Sequence, residues 1–233
     1  MRLLTPVRFL CILAVLGLPF SGQAHQKVNA FTGKFTAMMT FTDRRPPAVA
    51  QSDIVGALRV LRQGGLLLYP TDTVWSIGCD ATAPDAVQRL LTLKRASELE
   101  ALVDSPKMLR KHIDHLHPRL ETLLAYHLRP LTVCYDDGPQ LAEDLRRPDG
   151  KYAIRMVQDG YCQALIRAFG KPVVATPADL RPDAFPANFG AISSDVFEQV
   201  DFIVHHRRND KSIAQPSVMV QLGHKDELEF LRE

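Results

Sequence analysis

Five short segments of this 233-residue chain bring together hydroxyls and cations of the kind that hold polar or anionic groups. In YPTDTVWSIGCDA, residues 69–81, an apolar run stops at Pro70 and Thr71 and Thr73 enter a turn. There, hydroxyls and exposed backbone amides can hold a small polar ligand or satisfy the turn itself. Lys94 and Arg95 close an amphipathic segment; cations at such an end can meet phosphate, or offset the helix dipole while pointing into water. Arg129-Pro130-Leu131-Thr132 leads into one apolar run and Pro216-Ser217 opens another. Arg155 stands inside YAIRM. A guanidinium within an apolar strand needs a carboxylate or an anionic ligand, and since buried charges are generally paired, a protein carboxylate is the first expectation. Taken separately, none of these segments identifies an enzyme.

Other chemistries are poorly represented. The chain has no phosphate-binding Walker loop, no GxGxxG, no GxSxG and no HExxH. His112, Asp114, His115 and His117 lack a standard metal-ligand spacing and read as a solvated helix end before Pro118. His205-His206-Arg207-Arg208 reads as a solvated loop, with phosphate binding the lesser alternative. Cys11, Cys79, Cys134 and Cys162 form no CxxC pair, and the apolar surroundings of Cys134 and Cys162 suit reduced, buried thiols.

The elements that would position these residues alternate. Ser52 or Asp53 can cap a helix whose apolar positions Ile54, Ala57, Leu58 and Leu61 fall on one face, ending at Gly64-Gly65. A strand is expected at 66–69, followed by a hydroxyl-rich turn and a helix over 84–94. A short apolar segment at 101–103 precedes Ser105-Pro106, a cap and first-turn proline. Further strands are expected at 131–135, 152–156, 172–176, 201–205 and 217–222, with helices near 118–127, 160–169 and 193–199. Such alternation predicts one α/β domain around a twisted, mainly buried sheet with flanking helices. Its loops at the strand ends are where ligands bind in folds of this class.

Composition supports a globular domain: 46% of residues are hydrophobic and 23% charged, with a formal net charge of +2. The sequence pI of about 8.4 lies below the roughly pI 9 that marks a dedicated nucleic-acid binder. Residues 1–45 stand apart from the expected domain at 46–233. An apolar run at 9–20 follows Arg2 and Arg8, no acid occurs before Asp43, and Gly22-Gln23-Ala24 suits cleavage. A secretion signal, an organelle transit peptide and an upstream-extended gene start with translation from Met38 or Met39 all remain open. The apolar run is too short for a transmembrane span, which takes about 20 residues. The expected location is the cytoplasm without stable membrane association, with secretion or organellar import the alternatives.

In this order, LRQGGLLLYPTDTVWSIGCDA, AVQRLLTLKR, ALVDS, RPLTVCY, YAIRM, KPVVATPAD, FPANFGAIS with VDFIVHHR, and QPSVMVQLG resemble the YrdC-like family of threonylcarbamoyl-adenylate synthases over about residues 53–223. The resemblance implies a twisted α/β sheet with a concave, positively lined cavity. It also implies a nucleotidyltransferase reaction of L-threonine, bicarbonate and ATP, with Mg²⁺ accompanying the ATP, that yields threonylcarbamoyl-AMP and pyrophosphate. The product would serve t6A37 modification of tRNA through a downstream transfer enzyme; tRNA or double-stranded RNA would be possible partners. By position, Thr71 and Thr132 are implied in threonine binding, and Lys94, Arg95, Arg155, Thr176 and Ser217 in ATP binding.

Three departures fall in the loops. Lys94-Arg95 lacks the spacer of the family's Lys-x-Arg, and a one-residue slip on a helix turns a side chain by about 100°. The Ser-Thr-Ser-Ala-Asn signature reads Ala175-Thr176-Pro177-Ala178-Asp179, which removes a hydroxyl and an N–H at Pro177 and adds a carboxylate at Asp179. Ser76 and Pro182 stand where the family has glycine. A domain of this kind is expected either to act as the synthase or to be a catalytically impaired nucleotide- or RNA-binding module.

Overall fold

The computed structural model describes residues 48–94, 99–181, 185–186, 188–211 and 215–233, with side chains from residue 51. In chain order the helices are α1 (Ala48–Arg62), α2 (Pro84–Lys94), α3 (Pro106–Leu109), α4 (Pro118–Tyr126), α5 (Gly160–Phe169) and α6 (Ser194–Gln199). The strands are β1 (Leu67–Tyr69), β2 (Ser76–Gly78), β3 (Glu100–Val103), β4 (Leu131–Tyr135), β5 (Tyr152–Met156), β6 (Val173–Pro177), β7 (Phe202–Ile203), β8 (Val218–Leu222) and β9 (Leu228–Arg232). Among the described residues these strands form one sheet in the order β7-β1-β2-β6-β3-β5-β4-β8-β9. It is mixed: β1 with β7, β3 with β5 and β4 with β8 run parallel, and the other neighbours run antiparallel.

The apolar runs read as strands are buried for that reason. β1, β4 and β5 are buried along their whole length, as continuous apolar runs covered on both faces should be. α1 packs on α5, and Ile54, Ala57 and Leu61 of the first and Cys162, Leu165 and Ile166 of the second are buried. Each large apolar side chain removed from water in this way contributes roughly 1.5–3 kcal/mol. The helix ends follow their sequence signals. Ser105 Oγ accepts from the Met108 N–H at 3.3 Å with Pro106 in the first turn, Asp159 accepts from the Cys162 N–H at 2.9 Å, and α5 stops at Gly170 with φ of 82°. No helix among the described residues is long and apolar enough to cross a membrane.

The structure corrects the expectations at four places. α1 begins at Ala48, so Asp53 lies within the helix instead of capping it. Its buried carboxylate takes the backbone N–H groups of His205 at 2.8 Å and His206 at 2.7 Å, together with His205 Nδ1 at 2.9 Å, and so pins the loop after β7. Residues 76–78, read as part of a turn, form β2 and close a hairpin with β1. β9 was not expected at all. Finally, His112 is buried rather than solvated and donates from Nδ1 to the Pro139 carbonyl at 3.0 Å; burial lowers its pKa below the usual imidazole range.

The hairpin depends on a close approach at Gly78. Tyr69 lies across Gly78 and its hydroxyl donates to the Val174 carbonyl at 2.7 Å. A Cβ at position 78 would collide with that carbonyl oxygen and stand 2.7 Å from the Tyr69 ring. Gly78→Ala is therefore expected to destabilise the fold by about 1–3 kcal/mol or more, read as a lower urea midpoint in equilibrium unfolding.

Candidate functional site

Strand register places three of the expected site residues, Thr132, Arg155 and Ser217, on one face. Paired residues across a sheet point the same way, and Arg232, Met219, Thr132, Arg155 and Leu102 form one such row across β9, β8, β4, β5 and β3. Glu100, two residues from Leu102, shares that face, and Ser217 precedes β8 beside it. The interior strands β3, β4, β5 and β8 and the edge strand β9 thus bring two arginines, one carboxylate and two hydroxyls into a single cluster.

Arg155, with 1% of its side chain exposed, is clasped by two carboxylates. Nη1 pairs with Asp72 Oδ1, and Nε donates to Glu100 Oε2 at 2.9 Å. Pairing by protein carboxylates, the first expectation for this arginine, is what the structure shows. The second Asp72 oxygen takes the Gln158 N–H at 3.0 Å, and Glu100 Oε1 takes Arg232 Nη2 at 3.0 Å and the Ser217 hydroxyl at 3.1 Å. Ser217 and Thr132 share a hydrogen bond of 2.7 Å. Although burial opposes ionisation of Glu100, the adjacent Arg155 and Arg232 bring its pKa below the ordinary carboxylate value.

The remaining expected residues are placed as follows. Thr71 Oγ1 donates to the Val74 carbonyl at 2.7 Å and accepts from the Thr73 N–H at 3.1 Å, so this hydroxyl serves its own turn. Lys94 is fully buried at the end of α2, and its ammonium donates to the carbonyls of Pro177, at 2.8 Å, and of Asp179. Thr176 is also buried, but β6 register turns it to the face opposite Arg155, where its hydroxyl finds no hydrogen-bond partner. Arg95 and Pro182 lie outside the described residues. The departures at Pro177 and Asp179 therefore meet Lys94 through their carbonyls. The Asp179 carboxylate turns to Arg181, accepting its N–H at 2.8 Å, Nε at 3.0 Å and Nη2 at 2.9 Å; these bonds lower its pKa.

In the 205–208 loop, Arg207 donates to the Thr71 carbonyl at 2.9 Å and Arg208 to the carbonyls of Val204 and Ile203 at 2.9 and 2.8 Å. Both cations thus serve to hold the loop. Among the described residues no three His, Cys, Asp or Glu side chains converge as metal ligands. A cavity of about 730 Å³ lies elsewhere, lined by Leu66, Arg89, Thr92, Leu93, Leu180 and Gln199.

Sequence reasoning missed Asp72, Glu100 and Arg232. The demand of Arg155 for a carboxylate was a signal that such partners exist. It could not say which of many acids answers it, and Arg232 sits on a strand that was not expected.

Three kinds of relative match the chain. The family profile Sua5/YciO/YrdC, described as telomere recombination, matches residues 59–233. The threonylcarbamoyl-AMP synthase of Hahella chejuensis is 35% identical over 128 residues, covering 53% of this chain and 69% of that protein. The protein of the same name from Xanthomonas euvesicatoria pv. vesicatoria is 31% identical over 174 residues, 71% of this chain and 90% of its own length. A solved structure of a P. abyssi Sua5 variant superposes with a TM-score of 0.69 at 20% identity, covering 82% of this chain; the chain spans 57% of that longer protein.

Burial lowers the Lys94 pKa from 10.5 to about 8, against the opposing pull of Asp179. Between pH 8 and 10.5 the folded lysine is thus neutral while the unfolded one is still protonated, so unfolding takes up a proton and the Lys94 contribution to stability rises with pH across that window. The stability difference between the native chain and Lys94→Met is expected to shift in favour of the native chain by up to about 3 kcal/mol over this range. Denaturant unfolding at a series of pH values measures it.

Proposed function

Because the chain belongs to the Sua5/YciO/YrdC family, we propose that it is a threonylcarbamoyl-AMP synthase, joining L-threonine, bicarbonate and ATP. The observation that carries this reading is the buried row of Thr132, Arg155 and Ser217 on one sheet face, inside residues 59–233 that the family profile matches. Threonine nitrogen and bicarbonate give a carbamate with loss of water. A carbamate oxygen then attacks the α-phosphorus of ATP, forming the acyl-phosphate bond as the bond to pyrophosphate breaks. Such a displacement is accelerated chiefly by positioning and by donors aimed at developing charge.

In this assignment Thr132 lies on the threonine side and Arg155 and Ser217 on the nucleotide side. Thr71 shapes the turn that delivers Asp72, Lys94 holds the loop at 177–179, and Arg95 completes the nucleotide assignment, which Thr176 on the opposite sheet face does not join. Mg²⁺ enters as part of the substrate MgATP. The product is handed to a transfer enzyme that modifies tRNA.

The decisive measurement is pyrophosphate release in the presence of ATP, bicarbonate and L-threonine. Release that depends on all three is expected, and a rate unchanged when threonine is omitted refutes the synthase. One observation favours a second reading, a nucleotide- or RNA-binding module without turnover: Arg155 is already engaged by Asp72 and Glu100. Tight tRNA binding without pyrophosphate release would support that module.

A further inference from the structure

Two guanidiniums and a hydroxyl converge on one side chain. Glu100 Oε2 accepts from Arg155 Nε at 2.9 Å, and Glu100 Oε1 accepts from Arg232 Nη2 at 3.0 Å and from Ser217 Oγ at 3.1 Å. The donors have a framework of their own. Arg232 Nε donates to the Ser217 carbonyl at 2.8 Å, its Nη2 lies 2.9 Å from Ser217 Oγ, Ser217 is bonded to Thr132, and Asp72 holds the other arm of Arg155. Planar guanidiniums flanking a hydroxyl are what recognition of a carboxylate or phosphate requires. The donors come from β5, β9 and the residue before β8, whereas the acceptor comes from the first residue of β3.

The charge count follows. Arg155 and Arg232 are balanced by Asp72 and Glu100, so an incoming anion meets a neutral cluster and a carboxylate on its own donors. Arg155 is 1% exposed, whereas the side chains of Glu100 and Arg232 are 13% and 28% exposed, so the cluster opens on the side where Glu100 meets Arg232.

We propose that Glu100 is a tethered anion seated in the subsite for an anionic group of the substrate, a carboxylate or a phosphate, and that it sets the specificity of the site by having to leave Arg155, Arg232 and Ser217 before such a group can enter. The subsite stands on the geometry; only the identity of the anion rests on the synthase reading.

The test compares the native chain with Glu100→Gln, which keeps shape and removes charge, by calorimetric titration with inorganic pyrophosphate, L-threonine, L-threoninamide and adenosine. Glu100→Gln is expected to bind an anion about tenfold more tightly or better, with adenosine unchanged, because one like charge a few ångströms away has gone. A gain for pyrophosphate marks a phosphate subsite. A gain for threonine absent with threoninamide marks a carboxylate subsite. Loss of one buried partner weakens folding, so a second variant, Glu100→Asp, retains the charge but draws it back from the donors and is expected to show a smaller gain of the same kind; it decides the matter where Glu100→Gln does not fold. Anion affinities within roughly twofold of the native chain in every variant that folds overturn the proposal. A gain in anion binding alongside threonine-independent pyrophosphate release would remove the synthase reading and leave the tethered anion. Threonine-dependent release without any gain would do the reverse.

Discussion

A guanidinium sealed inside an interior strand governs the arrangement around it. Arg155 cannot be hydrated where β5 holds it, and an uncompensated buried charge costs several kcal/mol. Its partners therefore have to be brought from Asp72, 83 residues away, and Glu100, 55 residues away. The first demands the turn that ends β1 at Pro70, and the second demands β3 alongside β5 in parallel. Glu100 in turn draws in Arg232 from the last strand. A single cation thus couples the first hairpin, the centre of the sheet and its far edge, and the register of five strands decides whether it is satisfied.

Much of this sheet was legible because its strands are apolar on both faces. β4 and β5 match their expected limits at 131–135 and 152–156, and α2 and α5 match theirs. Continuous apolar runs and capping signals carry this information locally. β2 was not legible, since three residues between a turn and another turn show no alternation, and only pairing with β1 and β6 makes them a strand. The start of α1 was misread for a related reason. Asp53 looks like a cap by residue type, yet its carboxylate is claimed by backbone N–H groups 152 and 153 residues away. Nothing near it in sequence announces that competition.

The site divides the same way. Thr132, Arg155 and Ser217 stood out because polar groups within or beside apolar runs need a reason to be there, and they come together. Thr71 and Lys94 stood out for the same reason, but their polar atoms bond to the backbone of their own turn and of the 177–179 loop. Which of several acceptors a hydroxyl or ammonium chooses is settled by distances that residue types do not encode. Glu100 and Asp72 look in sequence like ordinary solvated acids at a strand start and in a turn. Only the row across β3, β5, β4, β8 and β9 shows that the face they reach is buried.

Electrostatics gives this arrangement a further asymmetry. Arg2, Arg8, Lys27 and Lys34 are the charged residues among the first 38, so 24 basic and 26 acidic residues lie beyond them and the slight basicity of the whole chain belongs to its first segment. Attraction for an anionic substrate must then come from a few placed groups. Arg155 and Arg232 are balanced by Asp72 and Glu100. After β6, Asp179 is matched by Arg181, and the Lys94 ammonium donates to the carbonyls of Pro177 and Asp179. With its pKa lowered to about 8, the Lys94 ammonium keeps its charge at neutral pH and loses it in mild alkali. The proton that titrates there is thus carried by the same ammonium that ties down the altered 177–179 loop, so the shape of that loop and the charge held against it change together.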